Sequence, residues 1–93
     1  MRAYLKYINL EEIFITAVKE HNVEAVKDLI KDSANVHVRG NLALRHASYY
    51  GFSEVVKVLL KAGADVHAMN DAALTNASQN GHTEIVKLLK KYA

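Results

Sequence analysis

The chain repeats itself every 30 residues, and this period constrains the fold more than any other feature. Shifting the sequence by 30 superposes Ala17, Ala47 and Ala77; Glu24, Glu54 and Glu84; Val26, Val56 and Val86; Lys27, Lys57 and Lys87; and Leu29, Leu59 and Leu89, without a gap. Residues 43–63 and 73–93 share ten identities in 21 positions at that single offset. Three units nearly fill the 93 residues. A unit this short cannot enclose a hydrophobic interior, so each unit has to be covered by its neighbours and the folded chain has to be a stack.

Inside a unit the apolar spacing is helical. Val55, Val56, Leu59 and Leu60, with Val58 at the edge, make one stripe at 3.6 residues per turn, and Lys57 and Lys61 lie on the opposite face. Upstream, Ala43, Leu44, Ala47 and Ser48 form a narrower stripe of mostly small side chains, which lets two helices approach closely. The unit is a helix pair, and the spacing predicts helices over 10–20, 23–32, 42–50, 53–62, 72–80 and 83–92. Asn9 with Glu12 resembles a capping box, and Asn41 and Asp71 fit N-caps of the first helices. Ser53 and Thr83 lie at or beside the starts of the second helices, with Glu54 and Glu84 in the first turn, where the helix dipole favours an anion. Gly51 and Gly81 are expected to end first helices and Gly63 a second one. Ser33 and Ala93 stand at the Gly63 position in the outer units and are weaker stops.

The ends differ from the middle. Leu60 corresponds to Ile30 in the first unit but to Lys90 in the last, and Ala62 becomes Tyr92; both changes suit a helix that no neighbour covers, so the array is expected to stop here. The expected organisation is a single domain, with a cap segment 1–9 and units at 10–40, 41–70 and 71–93. Tyr4, Leu5, Tyr7 and Ile8 make residues 1–8 an expected apolar cover on the first unit.

Composition removes several function classes. The absence of cysteine excludes disulfides, thiolate metal sites and a cysteine nucleophile, and it permits a reducing compartment. Twelve basic and ten acidic side chains are spread evenly along the chain, which takes away the usual electrostatic basis for nucleic-acid binding. No apolar run approaches the length of a membrane span, and Met1 to Asn9 is too short and polar for a secretory signal, so a cytoplasmic protein is expected.

The segments Gly51-Phe52-Ser53-Glu54-Val55-Val56-Lys57-Val58-Leu59-Leu60-Lys61-Ala62-Gly63-Ala64-Asp65-Val66 and Gly81-His82-Thr83-Glu84-Ile85-Val86-Lys87-Leu88-Leu89 resemble the second half of ankyrin repeats. The resemblance covers about 80 of the 93 residues. It implies an all-α helix-turn-helix solenoid of three stacked repeats. The connection between Val66 and Leu74 is three residues shorter than in the usual repeat, and Leu44-Arg45 and Leu74-Thr75 stand where a Thr-Pro-Leu-His tetrapeptide normally opens the first helix. Such 30-residue units are similar to repeats of giant-virus proteins and some phage and bacterial ones. The shortening implies β-hairpin connections without their usual binding tips, so the first helices have to supply the contact surface.

The resemblance implies binding through the loop before each first helix and through that helix's exposed face. Tyr49 and Tyr50 are the leading candidates there: their equivalents are Lys19 and Glu20, and Gln79 and Asn80, so the scaffold does not require aromatics, and tyrosine is enriched in binding hot spots. Arg39, Arg45, His46, Met69, Asn76, Gln79 and Asn80 complete the candidate set because they vary among units while the frame is kept. His37 and His67 lie one repeat apart, roughly 8–10 Å, too far to share a zinc ion. His82 belongs to the Gly-His pair of the family pattern and reads as structural. His21 and His46 have no metal-ligand spacing around them, and no nucleophile elbow or phosphate-cradling loop is present, so neither metal, cofactor nor catalysis is expected. Glu11 and Glu12 sit in a helix's first turn, where the dipole accounts for them, and Lys87, Lys90 and Lys91 read as a solvated helix end. The expected function is capture of a protein partner by a monomeric module, with inhibition of a host or defence protein as the simplest output. The alternative is a self-associating assembly subunit, a homodimer for example, or an engineered scaffold.

Overall fold

The computed structural model describes residues 9–93; the cover expected of residues 1–8 lies outside the described residues. Six helices follow in order: α1 (Leu10–Lys19), α2 (Val23–Lys31), α3 (Val38–Tyr50), α4 (Ser53–Lys61), α5 (Ala68–Gln79) and α6 (Thr83–Tyr92). They form three antiparallel pairs. The first helices α1, α3 and α5 pack side by side, as do the second helices α2, α4 and α6, and each first helix packs on its own second helix. The result is an elongated body of 44 × 21 × 19 Å.

Burial follows the repeat. Ala47 and Ala77 are fully buried and Ala17 nearly so, because the small side chains let neighbouring first helices approach. Ala43, Leu44, Val55, Val56 and Leu59 of the middle unit are all at zero exposure, being covered from both sides. In the outer units Ile13, Ala25, Leu29, Leu74 and Val86 hold equivalent positions and stay partly open. Lys90, which replaces the buried Leu60, is exposed.

The helix ends agree with the sequence at some caps and depart from it at others. Asn9 accepts the Glu12 amide on its side chain at 2.7 Å, and Asn22 caps α2 through the Ala25 amide at 3.1 Å. Ser53 and Thr83 are the first residues of α4 and α6 and make no capping bond; Phe52 and His82 precede them in the cap positions. Ser33 takes φ +80° where Gly63 takes +94°, so the first unit closes with the same left-handed residue without glycine.

The expected N-caps Asn41 and Asp71 are corrected. Right-handed helix does begin after them, but Arg39, Gly40 and Asn41 (φ 53°, 64° and 60°) and Met69, Asn70 and Asp71 (φ 57°, 57° and 61°) each form one left-handed turn. This turn is how the shortened connection reverses without a hairpin, and no strand occurs among the described residues. Asn41, with a positive φ, lacks the extended backbone of an N-cap. Its buried side-chain oxygen instead accepts the Asp65 amide, in the connection that follows α4, at 2.9 Å and faces His37 Nδ1 at 3.2 Å. Asp71 faces His67 Nδ1 at 2.6 Å. Left-handed arginine and methionine cost about 1–2 kcal/mol each. Arg45 offsets part of this by donating to the carbonyls of Gly40 (3.0 Å) and Arg39 (2.8 Å).

Two stability predictions follow from local geometry. Ser48 is fully buried and its hydroxyl has no partner among the described residues, whereas Val18 fills the equivalent position in the first unit. Because an unpaired buried hydroxyl costs about 1–3 kcal/mol, Ser48→Ala is expected to stabilise the fold by about 1 kcal/mol, read as a higher urea midpoint at unchanged slope. Gly51 and Gly63 both have positive φ (+79° and +94°), but a Cβ on Gly51 would lie 2.7 Å from the His82 ring, while one on Gly63 meets nothing within 4 Å. Gly63→Ala is expected to cost about 1 kcal/mol and Gly51→Ala distinctly more, measured by the same denaturation.

Candidate protein-binding site

The exposed face of α3, next to α5, carries a groove of about 230 Å³ lined by Leu42, Arg45, His46, Tyr49, Tyr50 and Asn76. Four of the expected site residues come from one helix because positions 45, 46, 49 and 50 fall three and four apart on a single face. Tyr49 and Tyr50 are 47% and 56% exposed, far more than aromatic side chains held only by a core. Their rings meet edge to face, with centroids 4.8 Å apart.

Tyr50 extends the cluster, lying 4.6 Å from the His46 ring and 5.9 Å from Phe52. Phe52 in turn stacks nearly parallel on His21 at 4.2 Å, across the junction between the first two units. The tyrosines thus end an aromatic strip that starts at the turn between α1 and α2. Each such ring pair contributes about 0.5–1.5 kcal/mol, which limits the freedom a partner would have to freeze out.

The third unit holds the backbone beneath the strip. His82 Nε2 lies 2.9 Å from the Tyr49 carbonyl and, when protonated there, donates to it. The Asn80 side-chain amide donates to the Tyr49 carbonyl at 3.3 Å and to the Asn76 carbonyl at 3.0 Å, and the Asn76 amide donates to the Arg45 carbonyl at 3.4 Å. The Tyr49 carbonyl lies in the last turn of α3 and has no helical partner of its own, so the contacts from His82 and Asn80 both satisfy it and fix the end of the helix. His82 is structural, as the family resemblance implies.

The structure divides the remaining candidates. Gln79 is exposed beside the groove. Met69 is 61% exposed and lies over Gly40, stacking one left-handed turn on the next. Arg39 is engaged by Glu11 of α1 at 2.5 Å, and the Arg45 guanidinium is taken up by the turn carbonyls. Sequence reasoning missed Phe52, His21 and Leu42. Phe52 follows the tyrosines across a single glycine, and that adjacency was the available signal.

Electrostatics single out one group. Burial in the groove, and secondarily the positive charge of Lys19, hold the His46 pKa below its ordinary value. His37 and His67 each face the side chain four residues on, Asn41 and Asp71, and among the described residues no group of three metal-ligating side chains converges.

Three helix pairs stacked in register, with one exposed helix face bearing aromatic side chains, define a helical repeat solenoid. The chain belongs to the ankyrin repeat family: the family model described as ankyrin repeats (3 copies) matches residues 5–70, and that described as ankyrin repeats (many copies) matches residues 53–89. No curated protein matches the chain. Ankyrin repeats are generic protein–protein interaction modules and are not enzymes. No helix among the described residues is long and apolar enough to cross a membrane.

The His46 shift carries a pH signature. A histidine whose folded pKa is depressed binds fewer protons folded than unfolded, so its contribution is complete above the unfolded value of 6.5 and is lost as pH falls through the folded pKa. Thermal unfolding between pH 7.5 and 5 is expected to show a steeper loss for the wild type than for His46→Gln.

Proposed function

We propose that the chain captures a protein partner on the α3 face, with Tyr49 and Tyr50 as anchors and His46, Asn76, Gln79, Asn80 and Met69 around them. The observation that carries this reading is the pair of half-exposed tyrosines at positions where the other units place Lys19, Glu20, Gln79 and Asn80. Rigid amphipathic rings at the lip of a groove offer contact area at low entropic cost. Arg39, Arg45, Asn76 and Asn80 enter this reading as secondary contacts, because each is already engaged within the fold. Occlusion is the simplest output for a surface without catalytic groups, so the proposed role is an inhibitor of its partner, acting in the cytoplasm.

Bait experiments with wild type and Tyr49→Ala/Tyr50→Ala, followed by titration of the captured protein, test the assignment. The double variant is expected to lose about 2 kcal/mol or more of affinity, roughly thirtyfold, while its own stability changes by under about 1 kcal/mol. Equal capture by both baits would remove the tyrosines from the site.

A further inference from the structure

We propose that the two ends of the stack bind each other, so that copies of this chain associate head to tail through surfaces separate from the tyrosine groove. Both end faces keep side chains of the kind that internal junctions bury. At the first unit a groove of about 380 Å³ is lined by Ile13, Ala17, Ala25 and Leu29 together with Glu12 and Glu20. Their apolar equivalents in the middle unit, Ala43, Ala47, Val55 and Leu59, are at zero exposure against the neighbouring unit. At the other end Leu74 and Val86 are partly open, whereas their equivalents Leu44 and Val56 are fully buried. A terminal repeat that closes an array shows a polar outer face; these two do so only in part.

The charges on the two faces are complementary. Residues 10–32 carry six acids, one of which, Glu11, is engaged by Arg39 within the fold, against three lysines, while the equivalent residues 70–92 carry Lys87, Lys90 and Lys91 against Asp71 and Glu84. The internal junction shows how such charges meet: Lys57 on α4 pairs with Glu84 on α6 at 3.4 Å. Carried into a second copy in the same repeat register, that step brings Lys87 to Glu24 and Lys91 to Asp28. Lys90 takes the place of the buried Leu60 in this contact and keeps it weak, so association shows only at high protein concentration. Because donor and acceptor faces differ, the contact is heterologous and does not close into a dimer.

Sedimentation velocity of the full chain up to millimolar concentration, at low and high salt, tests this. Weight-average mass is expected to rise with concentration without a plateau at the dimer, and less steeply at high salt. Lys87→Glu/Lys91→Glu and Glu24→Lys/Asp28→Lys are each expected to weaken association about tenfold, since two attractive pairs become repulsive. An equimolar mixture of the two variants restores opposite charges at every junction and is expected to recover wild-type growth. A monomer at all concentrations, a plateau at the dimer, or no recovery in the mixture overturns the proposal. Loss of association in Tyr49→Ala/Tyr50→Ala also overturns it, by moving the contact to the groove. Intact association in that variant, together with failed partner capture, leaves this inference standing apart from the proposed function.

Discussion

Apolar burial across the junctions between units is the interaction on which everything else in this structure depends. Val55, Val56, Leu59 and Leu44 of the middle unit are fully buried, and a side chain of that size contributes about 1.5–3 kcal/mol when withdrawn from water. The ion pairs that cross or border the same junction, Lys57 with Glu54 and Glu84, are exposed and worth at most about 1 kcal/mol each. Hydrophobic contact therefore sets stability, and the charges add little to it. The alanines at 17, 47 and 77 matter for what they leave out: their small size brings the first helices close enough for the larger side chains behind them to interlock.

The 30-residue period carries a geometric burden that a longer repeat avoids. With three residues fewer between units, the chain reverses through a run of left-handed residues, and Arg39 and Met69 occupy a region that side chains with a Cβ seldom enter. The turns persist because they are tied from several directions. Arg45 reaches back to two of their carbonyls, Asn41 bonds the Asp65 amide in the connection after α4, and Met69 rests on Gly40 of the preceding turn. Strain at one connection is thus shared along the stack, as burial is.

Helices, their order, the alanine stripe and the more open outer units were legible in the sequence, because all of them follow from spacing and from the difference between a covered and an uncovered face. The left-handed turns were not. Nothing about arginine or methionine signals positive φ, and Asn41 and Asp71 stand just where capping residues are expected, so the commoner explanation took precedence over the tertiary one. The tyrosine pair was legible as a departure from the repeat. Its support was not, because comparison of equivalent positions cannot show that Phe52 lies on His21, a residue from a different position of the preceding unit.

Variation among units is therefore an ambiguous guide to function, and the side-chain contacts resolve it. Two kinds of residue vary. Some vary because each junction solves the same packing problem differently: the first stacks Phe52 on His21, while the second seats His82 over Gly51 and bonds it to the Tyr49 carbonyl. Arg39, Arg45, Asn76 and Asn80 belong with these, since their polar atoms are taken up by the fold. Tyr49 and Tyr50 are different: no hydrogen bond within the fold occupies either hydroxyl among the described contacts, and about half of each side chain faces solvent. Both kinds meet at the end of α3, where the third unit's amides hold the backbone and the first unit's histidine extends the aromatic strip. A binding face built this way is rigid because the junctions on both sides of it are filled, so its shape depends on the same burial that holds the stack together.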